Sequence, residues 1–120
     1  MGTVKPITVI ETPSFLRDSK ELLDDDEREA LIAYLAYNPK VGRMVVGTGG
    51  IRKMRWAREN EGKSGGYRVV YFYHSEETPL FALNVFAKNE KANLTKEERN
   101  DLKELTAVLR ENYRGKEKKK

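Results

Sequence analysis

The alternation of apolar and polar positions divides this chain into seven predicted elements. Pro6-Ile7-Thr8-Val9-Ile10-Glu11 is rich in β-branched side chains and reads as a first strand. Thr12-Pro13 supplies an N-cap and a first helical residue, so a helix starts there, with Phe15, Leu16, Leu22 and Leu23 as a patchy apolar face. Asp24-Asp25-Asp26-Glu27 opens a second helix, because carboxylates suit the positive end of its dipole. That acidic run has two uses open to it, capping and metal binding, of which capping is the commoner. Leu31, Tyr34 and Leu35 recur at i, i+3, i+4 as one buried stripe, and Asn38-Pro39 ends the helix.

Residues 39–50 read as a loop anchored by Val41, Met44, Val45 and Val46. Its Gly47-Thr48-Gly49-Gly50 segment is a turn, or a weak candidate for a phosphate cradle. Three strands follow. In Ile51–Ala57, Met54 and Trp56 point one way, toward a core, and Lys53 and Arg55 point the other. Tyr67–His74 is apolar on both sides, which leaves its orientation open. Leu80–Ala87 is almost wholly apolar, as a central strand covered on both faces is. Thr95 and Glu98 form a capping box for a last helix, along which Leu102, Leu105, Leu109 and Tyr113 recur at helical spacing. The order β-α-α-β-β-β-α predicts an α+β fold with a largely antiparallel sheet: a single domain over residues 1–113, then a basic, frayed tail over 114–120.

Composition narrows the chemistry. With no cysteine and one histidine, His74, a disulfide framework, a thiolate zinc site and a poly-histidine site are all excluded. No cofactor is expected. The apolar run Leu31–Tyr37 is far too short to cross a bilayer, and the first residues lack a basic region followed by an apolar core. Pro6 stands where a myristoylation signal needs Ser or Thr. A soluble, cytoplasmic protein without a membrane partner is the expectation. The net charge of +4 is unevenly spread. Residues 1–37 carry 4 basic and 8 acidic side chains (−4), residues 38–75 carry 8 and 2 (+6), and residues 76–120 carry 11 and 9 (+2). Cations concentrated on the middle strands suit a surface that faces nucleic acid. Gly62-Lys63-Ser64 imitates the end of a P-loop, but Ala57 stands at the required glycine and a strand follows where a helix is needed.

Several of these segments together resemble the RelE/ParE superfamily of bacterial toxins. They are the element order, Asn38-Pro39, the basic strand Arg52-Lys53-Met54-Arg55, Gly66-Tyr67-Arg68-Val69-Val70-Tyr71, and Lys88-Asn89-Glu90. Gly47-Thr48-Gly49-Gly50 and Gly65-Gly66 draw the resemblance toward HigB-type RelE toxins, over residues 7–110. The resemblance implies a small microbial RNase fold and an mRNA endoribonuclease that acts in the ribosomal A site and inhibits translation as the toxin of a type II toxin–antitoxin system. It implies partners as well: the ribosome, mRNA, and a cognate antitoxin with a helix-turn-helix domain, through which alone the toxin meets operator DNA. Two cations on the basic strand and an arginine on the next act on RNA in such toxins, and by position these match Lys53, Arg55 and Arg68. An arginine and a tyrosine near the C-terminus of the best-known members are replaced here by Asn89 and Thr95.

The chemistry of these side chains fits metal-independent RNA cleavage, in which the 2′-hydroxyl attacks the adjacent phosphorus. Arg55 and Arg68 are forked, permanently charged phosphate ligands. Lys53 is the strong base candidate on the same face, its pKa lowered by the cations around it. Lys88 is a second phosphate ligand or the proton donor. Arg52, Lys63 and Asn89 complete an RNA-binding set in which Phe72, or one of Tyr71 and Tyr73, stacks on a base. Trp56 reads as packing and His74 as a surface residue. Two alternatives stay open: a ParE-like toxin that inhibits DNA gyrase without cleaving RNA, and a non-catalytic RNA-binding module.

Overall fold

The computed structural model describes residues 5–57, 66–88 and 93–118. Lys63, Asn89 and the Gly62-Lys63-Ser64 segment lie outside the described residues, as do the side chains of the basic tail. The elements are β1 (Val9–Glu11), α1 (Pro13–Leu22), α2 (Asp25–Tyr37), β2 (Arg43–Met44), β3 (Ile51–Trp56), β4 (Tyr67–Phe72), β5 (Leu80–Ala87) and α3 (Lys96–Lys118). They form one five-stranded sheet in the order β1-β5-β4-β3-β2. Only β1–β5 is parallel; the other three pairings are antiparallel. No helix among the described residues is long and apolar enough to cross a membrane.

The caps explain where the helices begin. Thr12 Oγ1 accepts from the Phe15 N–H at 3.3 Å and donates to the Ala82 carbonyl at 2.9 Å, so one hydroxyl both starts α1 and pins it to β5. The acidic run is used as a cap: Asp24 Oδ1 accepts from the Glu27 N–H at 2.7 Å, and Glu27 Oε1 accepts from the Asp24 N–H at 3.0 Å. Thr95 and Glu98 repeat that exchange at the start of α3. Asn38 ends α2 with its backbone and side-chain amides both on the Tyr34 carbonyl.

The sheet is covered on both faces. On one, α1 and α2 bring Phe15, Leu23, Leu31 and Leu35 against Met54, Tyr67, Val69, Tyr71, Leu80, Ala82 and Val85. On the other, Leu102 of α3 and the preceding Leu94 join Ile51, Val70, Phe72, Phe81 and Leu83, with Leu109 and Tyr113 packed alongside. All six residues of β4 are buried, so the strand apolar on both sides is the central one. A bulge in β5 keeps its side chains in phase. Val70 pairs with Asn84 and Tyr71 with Ala82, leaving Leu83 extra. The Asp18 carboxylate of α1 accepts the Val85 N–H at 3.1 Å and the Asn84 amide at 3.0 Å there.

The segment read as a loop over 39–50 contains a strand. Arg43–Met44 pairs with Lys53 and Arg52, and Val45 N–H donates to the Ile51 carbonyl at 2.8 Å. Gly47-Thr48-Gly49-Gly50 is the turn of this hairpin. Gly49 sits at φ 77°, and a Cβ there would meet Thr106 Oγ1 at 2.6 Å. Thr106 Oγ1 donates to the Thr48 carbonyl at 2.9 Å, and Arg110 donates to the Gly49 carbonyl. The glycines let the turn dock on α3, which engages the Thr48 and Gly49 carbonyls.

Candidate active site

β3 alternates as its pattern predicts. Met54 and Trp56 pack with the α1/α2 core, while Ile51, Lys53 and Arg55 lie on the α3 side. α3 covers the half of that side around Ile51, Phe72 and Phe81, where the Tyr113 ring meets Phe81 edge-on at 5.9 Å. Ile51 is fully buried; Arg55, four residues along the same strand, is exposed. Of the cations on this side, Arg55 is open to solvent, Lys53 is half-buried and Arg68 is buried beside them.

Arg55 pairs directly with Arg68 across β3 and β4. Residues opposite one another in an antiparallel pair share a face, so two guanidinium groups rise from adjacent strands side by side. Like charges so placed repel, which makes the arrangement costly unless an anion completes it. Arg68 is only 6% exposed and donates to the Tyr67 carbonyl at 3.3 Å. Burial, then the Arg55 charge, disfavours its cationic form, although a guanidinium stays protonated at any ordinary pH. The ion pair Arg28–Glu11, at 2.8 Å, lies on the far side of the fold, and among the described residues no carboxylate pairs with Lys53, Arg55 or Arg68.

Lys53 is half-buried, and its Nζ donates to Asn93 Oδ1 at 3.1 Å. Burial first, then the Arg68 and Arg43 charges, pushes the amine below the ordinary lysine value. The direction agrees with the sequence-based expectation; desolvation is the larger cause, ahead of the surrounding cations. Lys88 is exposed just past the end of β5, where its N–H donates to the Gly66 carbonyl at 3.2 Å, two residues from Arg68. Lys53, Arg55, Arg68 and Lys88 are thus gathered at one end of the sheet.

Three expected RNA-binding residues are elsewhere. Arg52 lies on the α1/α2 side and donates to the Gly42 carbonyl at 2.7 Å and to the Lys40 carbonyl at 3.3 Å, so it ties down the turn after α2. Tyr71 is fully buried. Its hydroxyl donates to the Pro39 carbonyl at 2.8 Å and accepts the Gly42 N–H at 2.7 Å, and burial raises its pKa. Phe72 is 2% exposed, under the Arg110 guanidinium and beside the stacked His74 ring. Neither ring offers a face to an unpaired base, and Tyr73 is buried as well. The physical reason is β4's central position, which commits both its sides to packing.

Two residues at this site were missed from sequence. Asn93, just before α3, holds Lys53. Arg43 on β2 stands directly opposite Lys53. Counting outward symmetrically from Thr48 in the Gly-Thr-Gly-Gly turn would have found that pairing. No such signal links Asn93 to Lys53, since the contact depends on where α3 docks.

Comparison with known proteins agrees with this architecture. A structure of a mutant of the E. coli toxin RelE in the free state superposes with a TM-score of 0.52 at 19% identity, covering 72% of this chain and 87% of that one. That match shows a shared fold. The family described as the RelE toxin of the RelE/RelB toxin–antitoxin system matches residues 41–118, which hold β2 to β5, α3 and every cation of the site. With most of its length matched and the sheet-and-helix arrangement in common, this chain belongs to the RelE toxin family.

Proposed function

We propose that this toxin is a metal-independent endoribonuclease that cuts mRNA in the ribosomal A site. The observation that carries the reading is the opposed Arg55–Arg68 pair beside a pKa-lowered Lys53, on a sheet face that α3 leaves open. Arg55 and Arg68 hold the scissile phosphate and offset the charge that builds on it. Lys53, drawn toward its neutral form, takes the proton of the 2′-hydroxyl, and Asn93 fixes the amine's position. Attack of that oxygen on phosphorus closes a 2′,3′-cyclic phosphate and expels the 5′-oxygen. Lys88 protonates the leaving oxygen. A cognate antitoxin holds the toxin in check, HigB-type in pattern, with a helix-turn-helix domain that carries the pair to operator DNA.

The test is induced expression in bacteria with mapping of mRNA 5′ ends, beside a Lys53→Ala/Arg68→Ala variant whose folding is checked by circular dichroism. Cuts inside translated codons that vanish in the folded variant support the proposal. Growth arrest without such cuts contradicts it, and accumulation of gyrase–DNA cleavage complexes would then point to the ParE-like reading.

A further inference from the structure

The cations of this face extend one strand beyond the residues assigned above. Arg43 pairs with Lys53 across β2 and β3, as Arg55 pairs with Arg68 across β3 and β4. Both pairs share a face, so Arg43, Lys53, Arg55 and Arg68 form a diagonal row over three adjacent strands. With strands about 4.8 Å apart and two residues of β3 covering about 7 Å, the row is too long for one phosphate group. Four arginines of this fold are tied to protein acceptors: Arg28 to Glu11, Arg52 to Gly42, Arg99 to Leu94 and Arg110 to Gly49. Arg43 is exposed and engages no acceptor among the described residues.

We infer that Arg43, at the β2 edge, binds a second RNA phosphate flanking the scissile one, so that the RNA backbone crosses the strands from β4 to β2. This rests on the nuclease reading and adds the path of the substrate to it. The apolar neighbours of the row, Ile51 and Val70, are fully buried beneath α3. Of the exposed apolar side chains near Arg43, Met44 alternates to the opposite face and Val41 and Val46 lie outside the paired residues of β2, so the row itself is purely cationic. That suits a backbone polyanion better than an acidic peptide, whose docking draws on buried apolar side chains.

The experiment measures binding of a single-stranded, fully 2′-deoxy-substituted analogue of a cleaved mRNA segment as salt is raised, for the wild type, Arg43→Gln and Arg43→Lys. Each phosphate neutralised on a single strand contributes about 0.7 to the slope of log affinity against log salt. The inference expects Arg43→Gln to lower the slope by about 0.7 and Arg43→Lys to keep it. Equal slopes for the wild type and Arg43→Gln overturn it, as does a wild type that does not bind. Binding of a heptaglutamate peptide that alone depends on Arg43 overturns it too, and assigns the edge to a protein partner. The wild type's cutting of translated mRNA is scored separately. Cuts with equal slopes sink only the phosphate path, and no cuts sink the nuclease reading whatever the slopes show.

Discussion

The two faces of the sheet are built from the same strands and do different work. Toward α1 and α2, β3 contributes Met54 and Trp56 and β4 contributes Tyr67, Val69 and Tyr71, and the cover is complete from Phe15 to Leu35. Toward α3, the same two strands begin with Ile51, Val70 and Phe72 and end with Lys53, Arg55 and Arg68, where the cover stops. The first face stabilises; the second is stable only under α3, and beyond it carries like charges that no described carboxylate neutralises. A strand one residue out of phase with its neighbour would mix these roles. The β5 bulge with its Asp18 anchor prevents that, and so helps define the site from the opposite layer.

The largest expected effect is on the charged face. Arg68→Ala should lower single-turnover mRNA cleavage by at least about 10²-fold, the scale for losing a preorganised charge at a developing anion. Its thermal midpoint should stay within a few degrees of the wild type. A rate loss that merely tracks unfolding would erase the distinction between the faces. On the packed face, Leu31→Ala removes a fully buried side chain and should cost about 2–5 kcal/mol in urea unfolding. The folded fraction should still cut RNA at the wild-type rate.

A smaller effect separates packing from RNA contact in β4. Tyr71→Phe strands the Pro39 carbonyl and Gly42 N–H that the hydroxyl serves, at a cost of about 1–3 kcal/mol, with RNA affinity unchanged. Weakened affinity in a fully folded Tyr71→Phe protein would restore the ring to the RNA surface. The smallest effect is on pH. In the proposed mechanism a free Lys53 amine is the base, so the acid limb of the rate profile should report its lowered pKa. Arg43→Gln removes one of the charges that favour the neutral amine. The Lys53 pKa should therefore rise and the acid limb move to higher pH; a shift to lower pH would contradict Lys53 as the base.

Much of this was legible in the chain itself. The Thr95–Glu98 capping box, the acidic start of α2 and the Asn38-Pro39 stop are local, so they were readable without the fold. The split of β3 into a Met54/Trp56 side and a Lys53/Arg55 side follows from period two alone. What needed the third dimension was whatever depended on two elements meeting. Tyr71 and Phe72 look like stacking platforms until β4 is found in the middle of the sheet, where both are enclosed. Arg52 looks like part of a basic cluster, yet its alternation partner is Met54, and its Nη1 donates to the carbonyls of Lys40 and Gly42. The two residues of β2 are too few to show periodicity, so Arg43 stayed hidden in a loop.

In the proposed reaction, the cations beyond α3's cover cleave RNA by attack of the RNA's own 2′-hydroxyl. The most direct measurement is the end chemistry of an mRNA cut by the purified toxin on programmed ribosomes, with and without a 2′-deoxy substitution at the scissile nucleotide. The account predicts a 2′,3′-cyclic phosphate on one fragment and a 5′-hydroxyl on the other, and no cut once the 2′-hydroxyl is gone. A 5′-phosphate, or cleavage that survives the 2′-deoxy substitution, would contradict it.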